Sequence, residues 1–302
     1  MSKTSIHNAP SSEHEREIIA ALVAKARDAM DEFFLADQAR VDEAVTALAW
    51  AIYEPKRARE LAEKAVADTG LGNIESKIIK NQRKTFGCLR DLMRVKTVGV
   101  IEEIKTKGLY KYAKPVGVVA AIAPSTNPAA TPVNKAMMAL KGRNAVIVAP
   151  SPAGASTTTQ TVEYMRAELI KIGLPADLVQ VLPQPVNKAL TQSLMEAADL
   201  VVVTGSQNNV RRAYSSGTPA IGVGAGNVSV IIDSTADLKS AAEKITMSKI
   251  FDNSTSCSSE NQLIILEDVY DDAIQELKKA GGYMTTANEK ESIKNTLWID
   301  GH

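Results

Sequence analysis

Residues 116–128 read VGVVAAIAPSTNP, a run of small apolar residues followed by a polar turn between two prolines. Such a run is typical of a strand that is buried on both faces and leaves its sheet through a rigid loop. Similar runs recur along the chain, at residues 145–149, 178–182, 200–203 and 228–232. Helical patterns separate them, at about residues 128–140, 156–172, 189–198 and 208–214. The alternation predicts an α/β fold in which helices cover both faces of a parallel sheet.

The segments on either side of this sheet predict further elements. A helical array begins at Ser11 and Ser12 and runs to about Met93, and residues 98–112 alternate as the strands of a β-hairpin do. After residue 232 come a helix, the polar loop FDNSTSCSSEN, the strand QLIILE and another helix.

The composition excludes several classes of protein. Lys plus Arg equals Asp plus Glu at 35 each, and aromatic residues make up 4% of the chain, so nothing predicts nucleic-acid binding. No apolar run is long enough to span a membrane, and the amino terminus lacks the apolar core of a signal peptide. Two distant cysteines predict no disulfide framework, so we expect a cytoplasmic protein. The three histidines lie near the chain ends, and we expect no metal site.

In a parallel sheet, ligands bind where loops leave the carboxyl ends of the strands. After residues 116–123, the side chains of Thr126 and Asn127 could donate to an oxyanion, or they could cap the following helix. Pro150 and Ser151 follow the next strand and lead into a helix amino terminus, which suits anions. This loop has no acidic residue to hold a ribose 2′-hydroxyl or to repel a 2′-phosphate, so it favours NADP slightly over NAD.

Two glycine-containing segments are further candidates. Thr204-Gly205-Ser206 opens a helix after the strand LVVV, either as a phosphate-binding turn or as a plain strand-to-helix turn. The run GVGAGN at residues 222–227 is not the GxGxxG fingerprint, because its third glycine comes one residue early. Its glycines indicate either a ligand on the backbone or a bulge or tight turn.

The two cysteines have unlike surroundings. Cys257 lies among small hydroxyl residues in a polar loop, which suits an accessible thiol and favours a nucleophile over the buried packing role that is usual for free cysteines. Cys88 lies between Phe86 and Leu89 on a predicted helix, where we expect core packing.

Six motifs, in this order, resemble the aldehyde dehydrogenase superfamily: RELAEKAVADTGLGNIESKIIKN, KPVGVVAAIAPSTNP, GRNAVIVAPSP, IGLPADLVQVLP, VVVTGS and FDNSTSC. They cover nearly the whole chain from about residue 40. The resemblance implies a Rossmann-type parallel sheet flanked by helices, plus an incomplete second α/β catalytic domain. It also implies that Cys257 is the nucleophile.

Two departures point to the CoA-acylating branch. The hydrolytic branch carries a glutamate in E-L-G-G-K that activates water, and a lysine in K-P-S-E that holds the adenosine ribose; Gly222 and Ala149 stand there in this chain. APSTNP and IGVGAGN instead resemble acylating enzymes, and among these the sulfoacetaldehyde dehydrogenases most. The resemblance implies that a short-chain aldehyde (sulfoacetaldehyde, acetaldehyde or succinate semialdehyde) is oxidised to its acyl-CoA, with NAD or NADP as cofactor and CoA as co-substrate.

The resemblance also assigns roles to the loops and segments. The Cys257 amide and a donor from Thr126 or Asn127 would hold the oxyanion; the hydrolytic branch has its asparagine at the position of Thr126, and Asn127 lies one place later. The cofactor would lie across four loops, at Pro124, Ser125, Pro150, Ser151, Thr204, Gly205, Ser206, Gly222, Val223 and Gly224. The expected domains are a dinucleotide-binding domain with amino-terminal helices (1–97 and 115–232), an oligomerisation hairpin (98–114) and a catalytic domain (233–302).

Compared with the family, a carboxyl-terminal stretch is missing after residue 302. We therefore expect a homo-oligomer through the 98–114 hairpin only where that part is present. Two alternatives stay open: a truncated, non-catalytic nucleotide-binding remnant of the family, and a hydrolytic aldehyde dehydrogenase that uses another base.

Overall fold

The computed structural model describes residues 12–224 and 226–298. The chain divides into two compact units, Met1–Ala225 and Gly226–His302, called here the sheet unit and the thiol unit. The helices of the sheet unit are α1 Glu13–Phe33, α2 Gln38–Tyr53, α3 Pro55–Thr69, α4 Ile74–Ile79, α5 Thr85–Met93, α6 Ala130–Lys141, α7 Ala155–Lys171, α8 Lys188–Ala197 and α9 Gln207–Tyr214. Its strands are β1 Gly99–Ile104, β2 Leu109–Ala113, β3 Val118–Ile122, β4 Ala145–Ala149, β5 Val179–Val181, β6 Leu200–Thr204 and β7 Ala220–Val223. The thiol unit contains β8 Val228–Ile232, α10 Leu238–Ile250, β9 Glu260–Ile265, α11 Tyr270–Lys279 and α12 Ala287–Leu297.

The predicted helical array is confirmed and begins at a capping box. Ser12 Oγ accepts from the amide of Glu15, and the Glu15 carboxylate accepts from the amide of Ser12, so two amides of the first turn are paired. Ser11 lies outside the described residues. The last helix of the array is interrupted by a π-helical turn at Lys80–Lys84, between α4 and α5. Such turns are frequent at functional sites.

The predicted hairpin is also present. β1 and β2 pair antiparallel, with Gly99 opposite Ala113 and Ile104 opposite Leu109. The turn between them ends at Gly108, whose φ of 62° is left-handed. Glycine adopts that conformation without steric cost, which explains why the turn can close there.

A five-stranded parallel sheet forms the core of the sheet unit. Its order is β5-β4-β3-β6-β7, which is 3-2-1-4-5 in chain order, the arrangement of a Rossmann-type half. Every residue of β3 and β4 is buried, as expected for strands with helices on both faces. α1 packs against α8 and β4, whereas α2 packs against α6 and α7. The strand order reverses between β3 and β6, and this is the point where ligands bind in such sheets.

The structure differs from the sequence prediction at three places. β7 is an edge strand where a ligand-binding run, a bulge or a tight turn was expected, and it pairs in parallel with β6. Residues 228–232 do not join the large sheet; they pair with β9, so the division between units falls after residue 225 rather than after residue 232. α12 was not predicted, since most of its residues are polar and none of them is buried.

A buried lysine ties the two strands at the point of reversal. Lys135 of α6 donates through Nζ to the carbonyl oxygen of Ile122 at 2.6 Å and to that of Val202 at 2.9 Å. Burial lowers the pKa of Lys135 to about 7. At mildly alkaline pH the amine is therefore neutral, and its two N–H bonds match the two carbonyl acceptors.

We expect the free energy of unfolding to rise with pH because of Lys135. Its pKa is about 7 in the folded chain against 10.5 for an unperturbed lysine, so the unfolded state binds more protons between these values. Lys135 therefore raises the free energy of unfolding by about 1.4 kcal/mol for each pH unit above neutrality. Below neutrality it does not change that free energy with pH. Urea unfolding of the wild type and Lys135→Met on both sides of neutral pH measures this. The variant should have a flatter profile of stability against pH above neutrality; equal slopes in the two proteins would contradict the assignment.

Candidate functional site

Four of the predicted loops lie at one edge of the parallel sheet. β3, β4, β6 and β7 run in the same direction, so the residues that follow them emerge together at the carboxyl edge. The loops after β3 and β6 flank the point where the strand order reverses. Cys257 belongs to the thiol unit and is described separately.

The loop after β3 presents two uncommitted polar side chains. Thr126 and Asn127 are half-buried, and neither side chain forms a hydrogen bond with any other residue that the structure describes. The following helix, α6, has Ala129 as its N-cap and no side-chain cap. The helix-capping alternative for Thr126 and Asn127 is therefore wrong, and both remain available as donors.

A carboxylate that the sequence did not reveal lies at the start of α7, the helix that follows the loop after β4. Asp68, at the end of α3, accepts from the Ser156 hydroxyl at 2.7 Å, from the Thr157 amide at 3.0 Å and from the Thr157 hydroxyl at 2.6 Å. It caps the amino terminus of α7, whose own N-cap residue is Gly154 and has no side chain. Burial alone would raise the pKa of Asp68, but these hydrogen bonds outweigh it and hold the pKa below its ordinary value.

The Asp68 carboxylate removes the basis of the predicted preference for NADP. The preference for NADP came from the absence of an acidic residue near Pro150 and Ser151, and Asp68 lies 88 residues before Ser156 in the sequence. Pro150 is buried, and Ser151 caps the short turn Pro152–Gly154 by accepting from the Gly154 amide at 3.2 Å. The structure therefore gives this loop no preference for a 2′-phosphate.

The turn after β6 is a capped strand-to-helix turn with unpaired amides. Ser206 caps α9 by accepting from the Asn209 amide at 3.3 Å. Gly205 has a φ of 155°, a conformation that side chains disfavour. The amides of Gln207 and Asn208 donate to no residue in the described part of the chain, as is usual in a first helical turn. The turn can therefore accept an anion beside a residue that has no side chain.

The glycines of β7 are explained by the packing of α9. Neither Gly222 nor Gly224 has a positive φ. A Cβ atom on Gly222 would lie 2.9 Å from Val210 Cγ1 and 3.1 Å from Tyr214 Cε2, and the Gly222 amide donates to the Tyr214 hydroxyl at 3.1 Å. A Cβ atom on Gly224 would lie 3.0 Å from the side chain of Gln207. Side chains of α9 therefore lie against one side of the backbone at Gly222 and Gly224, and a side chain at position 222 would require Val210 or Tyr214 to shift.

In the thiol unit, the backbone before Cys257 is left-handed over three residues. Asp252, Asn253 and Ser254 have φ values of 51°, 53° and 61°. Side-chain hydrogen bonds support the turn: Ser254 Oγ donates to the carbonyl oxygen of Lys249, and Thr255 Oγ1 donates to the buried Asp252 carboxylate at 2.7 Å. These bonds fix the path of the chain as it leaves α10.

Serine residues flank Cys257 on both sides in the sequence. The Ser256 and Ser258 hydroxyls lie 3.0 Å apart, and Ser259 Oγ donates to the carbonyl oxygen of Ser256 at 2.8 Å. Cys257 itself is exposed. The residue is thus presented at the surface of its own unit, in a closed and polar turn, rather than packed in an apolar core.

Other chemistry has little support in the described part of the chain. No group of three or more His, Cys, Asp and Glu side chains there could hold a metal ion. No helix among residues 12–224 and 226–298 is long and apolar enough to cross a membrane.

Comparison with known proteins gives consistent matches. The model of the Aldehyde dehydrogenase family matches residues 3–294. The acylating sulfoacetaldehyde dehydrogenase of Cupriavidus necator is 58% identical over 284 residues. The crystal structure of an acetylating aldehyde dehydrogenase from Geobacillus thermoglucosidasius matches with a TM-score of 0.88 at 34% identity, over 96% of this chain and 64% of that chain. The propionaldehyde dehydrogenase of Rhodopseudomonas palustris, solved with bound CoA and an acylated cysteine, has a TM-score of 0.79 at 28% identity, over 92% of this chain and 63% of that chain.

The matched region is shorter than the relatives themselves. The alignment with the Cupriavidus necator protein includes 94% of this chain but only 58% of the relative. What the match supports directly is therefore the architecture of the shared part.

The two cysteines should differ in their reactivity with iodoacetamide. Burial, with a smaller contribution from the charge of Asp91, raises the pKa of the half-buried Cys88 thiol, whereas Cys257 is exposed. We expect Cys257 to react about tenfold faster or more at mildly alkaline pH, because the thiolate is the reactive form and must be reached by the reagent. Peptide mapping after timed labelling measures both rates, and Cys257→Ser should remove the fast phase. Faster modification of Cys88 would contradict this arrangement.

Proposed function

Since the chain belongs to the aldehyde dehydrogenase family, we propose that it is the nucleotide-binding and thiol-bearing part of a CoA-acylating enzyme. The proposed reaction oxidises a short-chain aldehyde to its acyl-CoA with reduction of NAD(P)+. The observation that carries the proposal is Gly222 at the position of the water-activating glutamate of the hydrolytic branch, where a Cβ atom would lie 2.9 Å from Val210 Cγ1 and 3.1 Å from Tyr214 Cε2. The names of the relatives make sulfoacetaldehyde the first candidate substrate, ahead of acetaldehyde and succinate semialdehyde.

In the proposed mechanism the Cys257 thiolate attacks the aldehyde carbon, and a sulfur–carbon bond forms as the carbonyl oxygen becomes an oxyanion. The Cys257 amide and a donor from Thr126 or Asn127 stabilise that charge, and the two side chains are uncommitted within the sheet unit. Hydride then leaves the same carbon, and bound NAD(P)+ supplies the acceptor. A thioester on Cys257 remains.

The second half-reaction transfers the acyl group to CoA. The CoA sulfur attacks the thioester carbon, the bond to Cys257 breaks, and the Cys257 thiolate is regenerated. The balance is aldehyde, CoA thiol and NAD(P)+ giving acyl-CoA, NAD(P)H and one proton. Water would need a general base at neutral pH, whereas a thiol ionises far more readily and needs less help. The absence of a carboxylate at position 222 therefore favours thiolysis over hydrolysis.

The carboxyl edge of the sheet fits a dinucleotide. The strand order reverses there, and the turn at Gly205 and Ser206 leaves the amides of Gln207 and Asn208 for a phosphate. We assign the cofactor to the four strand-end loops, at Pro124, Ser125, Pro150, Ser151, Thr204, Gly205, Ser206, Gly222, Val223 and Gly224. NAD and NADP are both compatible with this assignment, since the Asp68 carboxylate at the start of α7 is already occupied as a helix cap.

The domain roles and assembly follow from the same proposal. The sheet unit would bind the dinucleotide, and the thiol unit would belong to the catalytic domain. The hairpin of β1 and β2 carries exposed apolar side chains at Ile101, Leu109, Tyr110 and Tyr112, which suits an arm that pairs with another subunit. A working thiolate requires a reducing compartment, and we place the enzyme in the cytoplasm on that ground.

The proposal predicts CoA-dependent reduction of NAD(P)+. Incubation of the chain with sulfoacetaldehyde, acetaldehyde or succinate semialdehyde should give NAD(P)H and acyl-CoA in the presence of CoA, and at most a single turnover without it. Cys257→Ala should abolish turnover while the affinity for NAD(P)+ stays within about twofold, because the thiol supplies the covalent step and not the nucleotide site.

Other outcomes of that assay identify the alternatives. Sustained turnover without CoA would indicate a hydrolytic dehydrogenase with another base. Nucleotide binding without any turnover would indicate a non-catalytic remnant. Activity that survives in Cys257→Ala would show that the proposed nucleophile is wrong.

A further inference from the structure

The loop that carries Thr126 and Asn127 is anchored to α7 through its last carbonyl. Thr158 Oγ1 donates to the carbonyl oxygen of Pro128 at 2.8 Å, and both residues are buried. The loop can approach α7 because Gly154 has no side chain: a Cβ atom there would lie 2.8 Å from Pro128 Cβ. The Thr158 hydroxyl therefore bonds to the loop after β3 rather than to a carbonyl of its own helix.

A second anchor holds the same loop from the amino-terminal helices. Lys77 of α4 is buried and donates through Nζ to the carbonyl oxygen of Thr126 at 3.3 Å. The carbonyls of residues 126 and 128 are thus both held, and Asn127 lies between them. The backbone of the loop is fixed while the side chains of Thr126 and Asn127 remain uncommitted.

α7 is itself hydrogen-bonded to α3 through Thr157, the residue before Thr158. Thr157 is bound to the Asp68 carboxylate through both its amide and its hydroxyl, and it is buried. The position of Thr158 relative to the sheet unit is therefore set by α3 as well as by α7. A displacement of the loop would have to break the hydrogen bond between Thr158 and the Pro128 carbonyl, or it would have to move α7 together with its contact to Asp68.

We infer that Thr158 is a positioning residue for the oxyanion donors of the loop, an inference that rests on the proposed function. Donors stabilise a developing charge best when they are already in place, and a shift of about 1 Å can reduce a rate by up to 100-fold. Removal of the Thr158 hydroxyl leaves the buried Pro128 carbonyl without that donor, so the loop gains freedom to move. Thr158 is expected to act only through the loop, so its replacement should slow the chemical step rather than weaken nucleotide binding.

The chain offers a closely matched control for this inference. Thr161 lies one turn further along α7, is equally buried, and donates to the Thr157 carbonyl of its own helix at 2.8 Å. Thr158→Val and Thr161→Val remove the same group from similar surroundings, but only the first releases the loop. Thr158→Ser keeps the hydroxyl and serves as the rescue variant.

The test combines hydrogen exchange with a single-turnover assay on the whole chain. Thr158→Val should exchange faster than wild type in the peptide that spans residues 123–130, and it should form the acyl-enzyme about 10-fold to 100-fold more slowly at saturating NAD(P)+. Its dissociation constant for NAD(P)+ should not change by more than about twofold. Thr161→Val and Thr158→Ser should stay near wild type in all three measurements.

The outcomes separate this inference from the proposed function. If Thr158→Val and Thr161→Val behave alike in exchange and rate, the positioning role is refuted. Faster exchange without a slower chemical step would reduce Thr158 to a structural residue, which also refutes it. A wild-type chain that forms no acyl-enzyme refutes the proposed function and, with it, the catalytic consequence of this contact. Local release of the loop together with a slower chemical step in Thr158→Val alone supports the inference.

Discussion

A parallel strand that is buried on both faces can meet a ligand only at its end. β3 and β4 are buried along their whole length, and no polar side chain occurs within either strand. The chemistry of the sheet unit is therefore confined to the loops at the carboxyl edge. The reversal of strand order between β3 and β6 opens a gap at that edge, and Lys135 bridges the two strands beneath it. The remaining contacts described here serve to hold these loops in place.

Strong local patterns made most of the elements predictable. The runs at β3, β4 and β6, the helix start at Ser12 and the hairpin within residues 98–112 depend on neighbouring residues, and the structure confirms them. β7 was missed because Gly222 weakens its strand pattern, although the packing of α9 against the strand favours a glycine there. α12 was missed because a helix without buried residues has no apolar period. The position of the candidate loops was predictable, but the contacts that hold them were not.

Long-range contacts explain why the predicted preference for NADP has no support in the structure. The loop after β4 has no acidic residue in its own sequence, yet Asp68 reaches the first turn of α7 from the end of α3. A helix that starts after a glycine has no local side-chain cap, so a residue from elsewhere can take that place. The same reasoning applies to Thr158 and Pro128, which are 30 residues apart. Sequence patterns report on periodicity and local caps, and such pairings become visible only after the helices have packed.

The loop that carries Cys257 combines backbone strain with side-chain hydrogen bonds. Three consecutive non-glycine residues in the left-handed region would cost roughly 1–2 kcal/mol each for ordinary side chains, and less for Asp252 and Asn253, whose types tolerate it best. The turn persists because Ser254 and Thr255 return hydrogen bonds to Lys249 and Asp252. Cys257 follows this turn after two residues and is exposed. A regular helical continuation would need no such strain, but it would keep residue 257 on the surface of α10, where a neighbouring turn restricts each side chain. Backbone strain of this kind clusters at functional sites, in accord with the proposed role of Cys257 as the nucleophile.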